Sequence, residues 1–157
     1  MNLRLIIIVS LILFAALWVP NISAAENIHF ILDGSGSMWG RVEGKEKIVI
    51  AKKVILDLIS NLPKDMQIGL TVYGHRSKSD CNDIEILVRT EEGNREILRK
   101  KIAGIIPKGM TPITGSIELV AKHIKHIKDK TNIPKTGDHI SILVFIRYHF
   151  DKYCCSD

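Results

Sequence analysis

The sequence predicts one α/β domain, built on an open and mostly parallel sheet with helices on both faces. The chain of 157 residues is long enough for one domain with a substantial core and too short for two of ordinary size. Its residues are 46% hydrophobic and only 6% aromatic, so aliphatic side chains must build the core. Apolar runs of strand length also alternate with stretches of helical periodicity, which is typical of such sheets.

The first 25 residues have the order of a secretory signal peptide. Arg4 supplies positive charge, residues 5–19 are apolar apart from Ser10, and the small residues 23–25 offer a cleavage site. The same stretch is nearly long enough to span a membrane, so an uncleaved anchor is the alternative. We therefore expect a periplasmic or secreted protein, with membrane anchoring as the second possibility.

The remaining elements follow in the order β-α-β-β-α-α-β. Apolar runs predict strands over residues 28–32, 67–73, 84–88 and 140–146. Apolar residues at helical spacing predict helices over residues 48–62, 94–103 and 112–127. Glu85 interrupts the third strand as an edge strand would. Asn94 can cap the second helix, while Thr111 and Pro112 are favoured at the start of the third.

Charge and cysteines narrow the classes of function. The formal charge of +5 comes from scattered Lys and Arg without a basic, aromatic-rich stripe, so we expect no nucleic-acid binding. The cysteines are Cys81, Cys154 and Cys155, and their spacing fits no zinc site. An odd number leaves one thiol unpaired or intermolecular, and Cys81 paired with one of the adjacent two is the favoured arrangement.

An aspartate and two hydroxyls alternate where the first strand ends. Asp33, Ser35 and Ser37 are separated by glycines that let the backbone curl, and ligands of open α/β sheets bind at such strand ends. Hard oxygen ligands suit Mg²⁺. The alternative is a turn in which Ser37 only supports the loop. Dinucleotide, P-loop, EF-hand and G-x-S-x-G patterns do not fit the segment, so an enzyme such as a hydrolase has little support beyond the hydroxyl loop itself.

The segment over residues 31–38 resembles the D-x-S-x-S signature of von Willebrand factor A (vWA) domains. Residues 107–112 resemble the loop that brings the metal-binding threonine of that family, and residues 73–76 with 81–85 are similar to a bacterial exported branch. The resemblance implies a Rossmann-like, vWA-type sheet. The expected organisation is a signal peptide at 1–25, a partial vWA-like domain at 26–146 and a divergent tail at 147–157.

The resemblance also implies a metal-dependent adhesion site. Ser35, Ser37 and Thr111 would ligate Mg²⁺, or Mn²⁺ or Ca²⁺, through their hydroxyls, and Asp33 would hold the cation through water. An acidic side chain of a partner protein would fill a remaining position. Such a module binds protein outside the cytoplasm and catalyses nothing. Thr111 has an alternative role as a helix cap, which is compatible with metal binding.

The C-terminal side departs from the family pattern. Family members place a second aspartate directly after the strand at 140–146, whereas no acid occurs here before Asp151. The final strands of the family are also missing. We therefore expect a sheet that is incomplete on its C-terminal side and cation binding that is weak. A non-functional, truncated or frameshifted remnant of a longer vWA protein is the alternative.

Four further side chains could have a function. His75 and Arg76 follow the second strand and could contact a ligand, although pairing with Asp80, Asp83 or Glu85 is the favoured alternative. His29 is expected to be a hydrogen-bonded histidine on a helix-covered face of the sheet. Trp39 is either a loop anchor or an exposed contact residue.

Two more histidines, His123 and His126, lie three residues apart on the third predicted helix. They could share a metal ion, but lysines surround them in the sequence, so a solvated face is the favoured interpretation.

Overall fold

A computed structural model describes residues 27–130 and 140–145, with the backbone alone for residues 127–130 and 140–145. The predicted signal peptide at 1–25 and the predicted tail at 147–157 lie outside these ranges. Within them, no helix has both the length and the hydropathy needed to cross a bilayer. Cys81 is disulfide-bonded, as predicted, and its two predicted partners lie outside the described residues.

A four-stranded sheet forms the centre of the domain. The strands in chain order are β1 (Asn27–Asp33), β2 (Arg41–Val42), β3 (Lys45–Glu46), β4 (Ile68–Tyr73), β5 (Ile84–Glu91) and β6 (Ile140–Phe145). The order in the main sheet is β5-β4-β1-β6. Strand β1 pairs in parallel with both β4 and β6, whereas β5 is antiparallel to β4. The predicted mostly parallel sheet is confirmed, and β5 lies at an edge as Glu85 indicated.

Helices cover both faces of this sheet, as predicted. They are α1 (Lys47–Asn61), α2 (Arg95–Ala103) and α3 (Ile113–Lys130). Alternation along β1 sends Phe30 and Leu32 into the larger core, which α1 and α2 close with side chains such as Ile55 and Leu98. Ile31 points the other way, against α3. Strand β1 therefore packs between two apolar layers, which fix the position of its C-terminal end.

The segment before α1 is more ordered than the polar turn that the sequence predicts. Residues Gly36–Trp39 form a 3₁₀ turn, and β2 and β3 form a short hairpin. Glu43 and Gly44 have φ values of 50° and 78°, which is the backbone of a type I′ turn. The hairpin escaped prediction because its strands have two residues each, and because glutamate rarely occupies the first of these positions.

Two predicted helix caps need correction. Asn94 precedes α2 but makes no side-chain cap hydrogen bond. Its amide instead donates to the carbonyls of Ile68 and Arg89, because the residue is buried between β4 and β5. Helix α3 begins at Ile113, one residue after the predicted start, and the Pro112 carbonyl accepts the Ser116 N–H. Thr111 therefore lies in the loop before the helix.

A buried polar cluster lies between the sheet and α3. The His29 side chain is completely buried, and its two ring nitrogens lie 2.8 Å from the Thr90 hydroxyl and 2.9 Å from the Thr71 hydroxyl. The ring of His123 meets it edge-on, with centroids 5.7 Å apart. The prediction for His29 is confirmed. The solvated-face interpretation is wrong for His123, which is half-buried, and correct for the exposed His126.

Candidate metal centre

The site is built on the last residue of β1. Asp33 is completely buried, and its Oδ1 accepts a hydrogen bond of 2.7 Å from the backbone N–H of Ser35. This bond curls the chain back over the strand end, and the Gly34 N–H continues the sheet pattern by donating to the Tyr73 carbonyl at 2.8 Å. The position of the loop is therefore fixed by the central strand itself.

The two serine hydroxyls of the signature converge. The hydroxyls of Ser35 and Ser37 are hydrogen-bonded to each other, and their Oγ atoms lie 2.9 Å apart. Neighbouring ligands in an octahedron with Mg²⁺–O bonds of 2.0–2.1 Å lie about 2.9 Å apart. The two oxygens are therefore already spaced as adjacent ligands of such an ion. The 3₁₀ turn that begins at Gly36 produces this spacing because it brings Ser37 back above the strand end.

The loop over residues 105–112 is held against the signature loop by backbone hydrogen bonds. Ser35 forms a parallel bridge with Gly109, and the Gly36 N–H donates to the Gly109 carbonyl at 3.0 Å. In return, the Lys108 N–H donates to the Gly34 carbonyl at 2.9 Å. The Gly109 N–H also bonds the Gly74 carbonyl, at 2.7 Å. Three loops, at 34–37, 74–77 and 108–111, thus form one hydrogen-bonded unit.

Glycines allow the three loops to approach this closely. A Cβ atom on Gly109 would lie 1.9 Å from the Ser77 carbonyl oxygen. A Cβ on Gly74, whose φ is +67°, would lie 2.3 Å from the Met110 carbonyl oxygen and 3.1 Å from Ser35 Cα. Only glycine fits at either position. Met110 and Ser35 therefore meet at Gly74.

Thr111 follows Met110, so its backbone enters the site directly beside the serine loop. Its carbonyl accepts the Ile113 N–H at 3.0 Å, which turns the chain into α3. Its hydroxyl makes no hydrogen bond to any residue that the structure describes and is free for a ligand role. The structure thus brings together the segments that carry all four predicted metal ligands, namely Asp33, Ser35, Ser37 and Thr111.

Trp39, the last residue of the 3₁₀ turn, connects this turn to the loop over residues 105–112. Its indole N–H donates to the Pro107 carbonyl at 3.0 Å, while half of the side chain, 50%, remains exposed. The interpretation as a loop anchor is therefore confirmed, and the ring is also exposed, while contact with a partner stays a prediction.

The acidic residues after β4 pair with the predicted ligand-binding side chains, through ion pairs with Arg76 and a polar contact with His75. The Arg76 guanidinium bonds the buried Asp83 carboxylate at 2.6 Å, and it also lies 3.5 Å from Glu85. His75 Nε2 lies 3.3 Å from the same Glu85 carboxylate. The predicted alternative of ion pairing is confirmed for Asp83 and Glu85. Direct ligand contact by His75 and Arg76 stays a prediction.

Protonation at this cluster is set by competing effects. Burial acts to raise the pKa of Asp83, but hydrogen bonds from the Ser77 N–H and from Arg76 outweigh it, so the pKa lies below its usual range. The Arg76 pKa is raised by its hydrogen bond to Asp83. Burial lowers the pKa of His75, against the opposing effect of Asp83 and Glu85. At neutral pH, Asp83 is therefore a charged anchor of the 74–77 loop, and His75 is neutral.

The C-terminal end of β6 lies beside the same edge of the sheet. Leu32 is paired with Phe145, one residue before Asp33. No Asp or Glu occurs in the sequence between residues 140 and 150. Among the described residues, no group of three or more His, Cys, Asp or Glu side chains could hold a metal ion. Asp33 is accordingly the acid of the predicted ligand set, and the other ligands are neutral hydroxyls.

Two positioning glycines of the site, Gly74 and Gly109, were not identified as such by the sequence analysis, and they permit the loop contacts. Asp83, which was predicted only as a possible partner of His75 or Arg76, also fixes the 74–77 loop through the N–H groups of Arg76 and Ser77, at 2.7 and 2.9 Å. A glycine directly after a buried strand is the signal that points to Gly74. Nothing local marks Gly109, because its partners are distant in sequence.

Two proteins of Bacillus subtilis (strain 168), YwmD and YwmC, resemble this chain. Each is 30% identical over 101 residues, which is 60% of this chain. The matched part is 45% of YwmD and 44% of YwmC, so the chain spans less than half the length of these relatives.

Solved structures share the fold at low sequence identity. The conserved hypothetical protein BatB from Bacteroides thetaiotaomicron superposes with a TM-score of 0.58 and 20% identity, covering 76% of this chain and 52% of BatB. The minor pilin PilB from Streptococcus sanguinis gives 0.58 and 12%, covering 80% and 30%. Manganese-loaded TRAP protein from Plasmodium vivax gives 0.51 and 18%, covering 73% and 43%.

The family comparison agrees with the architecture and the loop geometry. The sequence pattern of the von Willebrand factor type A domain matches residues 28–146, which include all the strands of the main sheet except the first residue of β1. From this match, the signature loop at the end of β1 and the shared sheet, we conclude that the chain belongs to the von Willebrand factor type A domain family.

Proposed function

We propose that this protein is an extracytoplasmic binding module that binds an acidic side chain of a partner protein through a divalent cation. Ser35, Ser37 and Thr111 would ligate the ion through their hydroxyls, and Asp33 would hold it through water. The module binds and does not catalyse. The observation that carries the proposal is the 2.9 Å separation of the two serine oxygens above the strand end.

The chemistry of the ligand set explains why the partner must be acidic. Three hydroxyls and one carboxylate neutralise only one of the two charges of the cation, so the bound ion would keep a net positive charge. A carboxylate from a partner supplies the missing charge and a hard oxygen ligand. The vWA fold also occurs in a manganese-loaded structure, that of TRAP, which supports a divalent ion at this site.

The same charge count predicts weak binding of the cation alone. Sites with fewer carboxylates bind divalent ions less tightly, and the residues directly after β6 supply no carboxylate before Asp151. We propose that the ion and the partner bind cooperatively, because each provides part of what stabilises the other. The order of residues at 1–25 supports export of the protein, so both the ion and the partner would be met in the periplasm or outside the cell.

Titration of Mn²⁺ into the purified chain, followed by the electron paramagnetic resonance of the free ion, tests this proposal. The wild-type chain should bind one Mn²⁺ per molecule, with competition by Mg²⁺. Ser35→Ala and Ser37→Ala should each weaken binding by about tenfold or more, because each removes a direct ligand. Ser60→Ala is the matched control, since its hydroxyl lies on the exposed side of α1 and should leave Mn²⁺ binding unchanged.

Two outcomes would contradict the proposal. If the wild-type chain binds no Mn²⁺ at millimolar concentration, the site is not functional, and the remnant of a longer vWA protein becomes the better interpretation. If Mn²⁺ binds but the two serine variants bind equally well, the ion occupies a different site.

A further inference from the structure

A cleft opens between α2 and the edge strand β5, next to the metal-site loops. Its volume is about 520 Å³, within the range of about 300–1,000 Å³ that is usual for ligand sites. Leu87 and Ile105 form an apolar floor, and Ile97 adds a side chain that is 56% exposed. A ligand with an apolar group that binds in the cleft would cover this exposed side chain.

The rim of the cleft is positively charged. Lys100 and Lys101 line it from the last turn of α2, and both are exposed. Neither lysine forms an ion pair with a carboxylate among the described residues, whereas Arg76 and Arg99 do. Two unpaired cations beside an apolar floor complement a ligand that has an acidic group next to an aliphatic one.

The cleft adjoins the proposed metal site through one residue. His75 is one of the residues that line the cleft. Its Cβ lies 2.9 Å from the position that a Cβ on Gly34 would occupy, so it is also in contact with the signature loop. Within the described residues β5 is an edge strand, and the cleft lies beside it. An extended segment of a protein could lie there and reach the metal-site loops at its end.

We propose that this cleft is a second binding surface, which takes a partner segment carrying an acidic side chain beside an aliphatic one. The aliphatic group packs on Leu87, Ile97 and Ile105, and the acidic group pairs with Lys100 and Lys101. The proposal rests on the proposed function for the kind of partner, namely an acidic protein. It does not rest on the cation, because none of the contacts in the cleft involves the metal ligands.

Selection from a displayed library of random peptides tests the cleft without knowledge of the natural partner. The full chain is immobilised, and selection is carried out in EDTA so that metal-bridged binding is removed. Peptides that pair Asp or Glu with Leu, Ile or Val should be enriched. The dissociation constants of the enriched peptides are then measured by fluorescence anisotropy on the wild type and on variants.

The double variant Lys100→Glu, Lys101→Glu should weaken binding by about tenfold or more, because attraction becomes repulsion. Ile97→Ser should weaken it about fivefold through loss of apolar contact. All three side chains are exposed, so these variants should fold. The control variant Lys122→Glu, Lys125→Glu makes the same change in net charge on exposed residues of α3 and should leave peptide binding within about twofold of the wild type.

The variant Ser35→Ala, Ser37→Ala separates the two proposals. It should no longer bind Mn²⁺ but should still bind the peptides. The charge-reversed variant of α2, Lys100→Glu, Lys101→Glu, should bind Mn²⁺ but no longer bind the peptides. The cleft proposal is overturned if selection in EDTA yields no acidic-aliphatic peptides. It is also overturned if the peptides bind the wild type and the α2 charge-reversed variant equally well.

Discussion

Burial of His29 shows how a polar residue is tolerated in the centre of this fold. Its two ring nitrogens face threonine hydroxyls, which can each donate or accept, so the neutral ring is fully hydrogen-bonded. A charged ring is disfavoured at this position. Burial and the neighbouring His123 lower the pKa of His29 to about 4. Burial also lowers the pKa of His123, with Arg89 acting in the same direction and Glu91 in the opposite one. The His29 site is therefore built for the neutral form.

We predict that His29 makes the domain sensitive to acid. Its pKa is lowered by folding, so its contribution is complete above pH 6.5 and is lost as the pH falls toward about 4. The free energy of unfolding should fall by about 2 kcal/mol from this source between pH 7.5 and pH 5. Urea unfolding at both pH values should show a smaller pH dependence for His29→Gln than for the wild type, with His126→Gln as the exposed control.

A direct measurement keeps this prediction testable even if His29→Gln fails to fold. The ring protons of His29 can be followed by NMR in the wild-type chain. A ring that becomes protonated above about pH 6 in the folded protein would contradict the prediction.

Sequence patterns predicted the environment of some single residues but not of others. Alternation within β1 predicted the burial of His29, because residues on a strand change face at every step. The hydrogen-bond partners of Asn94 could not be predicted, since a local cap and a tertiary contact to β4 use the same amide donors. His123 was misjudged for a related reason. Lysines around it in sequence lie on other sides of α3, and only the packed helix shows which side faces the sheet.

At the scale of elements, the site depends on loops that are far apart in sequence. The strands and helices followed from apolar periodicity, and the ends of β1 and α3 marked the loops at 34–37 and 108–111. The docking of these loops through backbone hydrogen bonds could not be predicted. Such bonds use main-chain groups that every residue has, so no side-chain pattern records them. The glycines that permit the contact are the nearest sequence signal.

We predict that Gly109→Ala disrupts this docking. The added methyl would lie 1.9 Å from the Ser77 carbonyl, so a loop must move, at a cost of about 1–3 kcal/mol. Thermal unfolding should show the loss of stability, and Mn²⁺ binding should weaken as Thr111 moves away from the serines. Gly104→Ala is the matched control, because it has a helical backbone and no contact closer than 3.6 Å. Equal melting temperatures and Mn²⁺ affinities for the two variants would contradict the prediction.

At the scale of the whole molecule, stability should be distributed unevenly across the sheet. Strands β1 and β4 have neighbours on both sides, and among the residues whose side chains the structure describes they carry most of the completely buried ones. Strands β5 and β6 are the edges within the described residues. The sequence predicted both the sheet and its edge at β5. The antiparallel direction of β5 was not predicted, although the connection of ten residues after β4 contains no helix and is short for a parallel crossover.

We predict that hydrogen exchange is slower in the two central strands than in the two edge strands. Amides of β1 and β4 should exchange most slowly, and those of β5 and β6 should be faster by about tenfold or more, because edge strands open without disturbing the centre. Exchange followed by mass spectrometry after peptic digestion resolves the four strands. Equal protection of β1 and β6 would contradict the prediction and would indicate that another surface covers β6.

The indole of Trp39, bonded to the Pro107 carbonyl, gives this protein a built-in optical probe. It is one of only two tryptophans in the chain, and the other lies within the predicted signal peptide. Any event that separates the two loops would break this bond and expose more of the half-exposed ring to water, which would shift its emission to longer wavelengths. Ligand-induced tightening could therefore be followed in real time by intrinsic fluorescence, without a label.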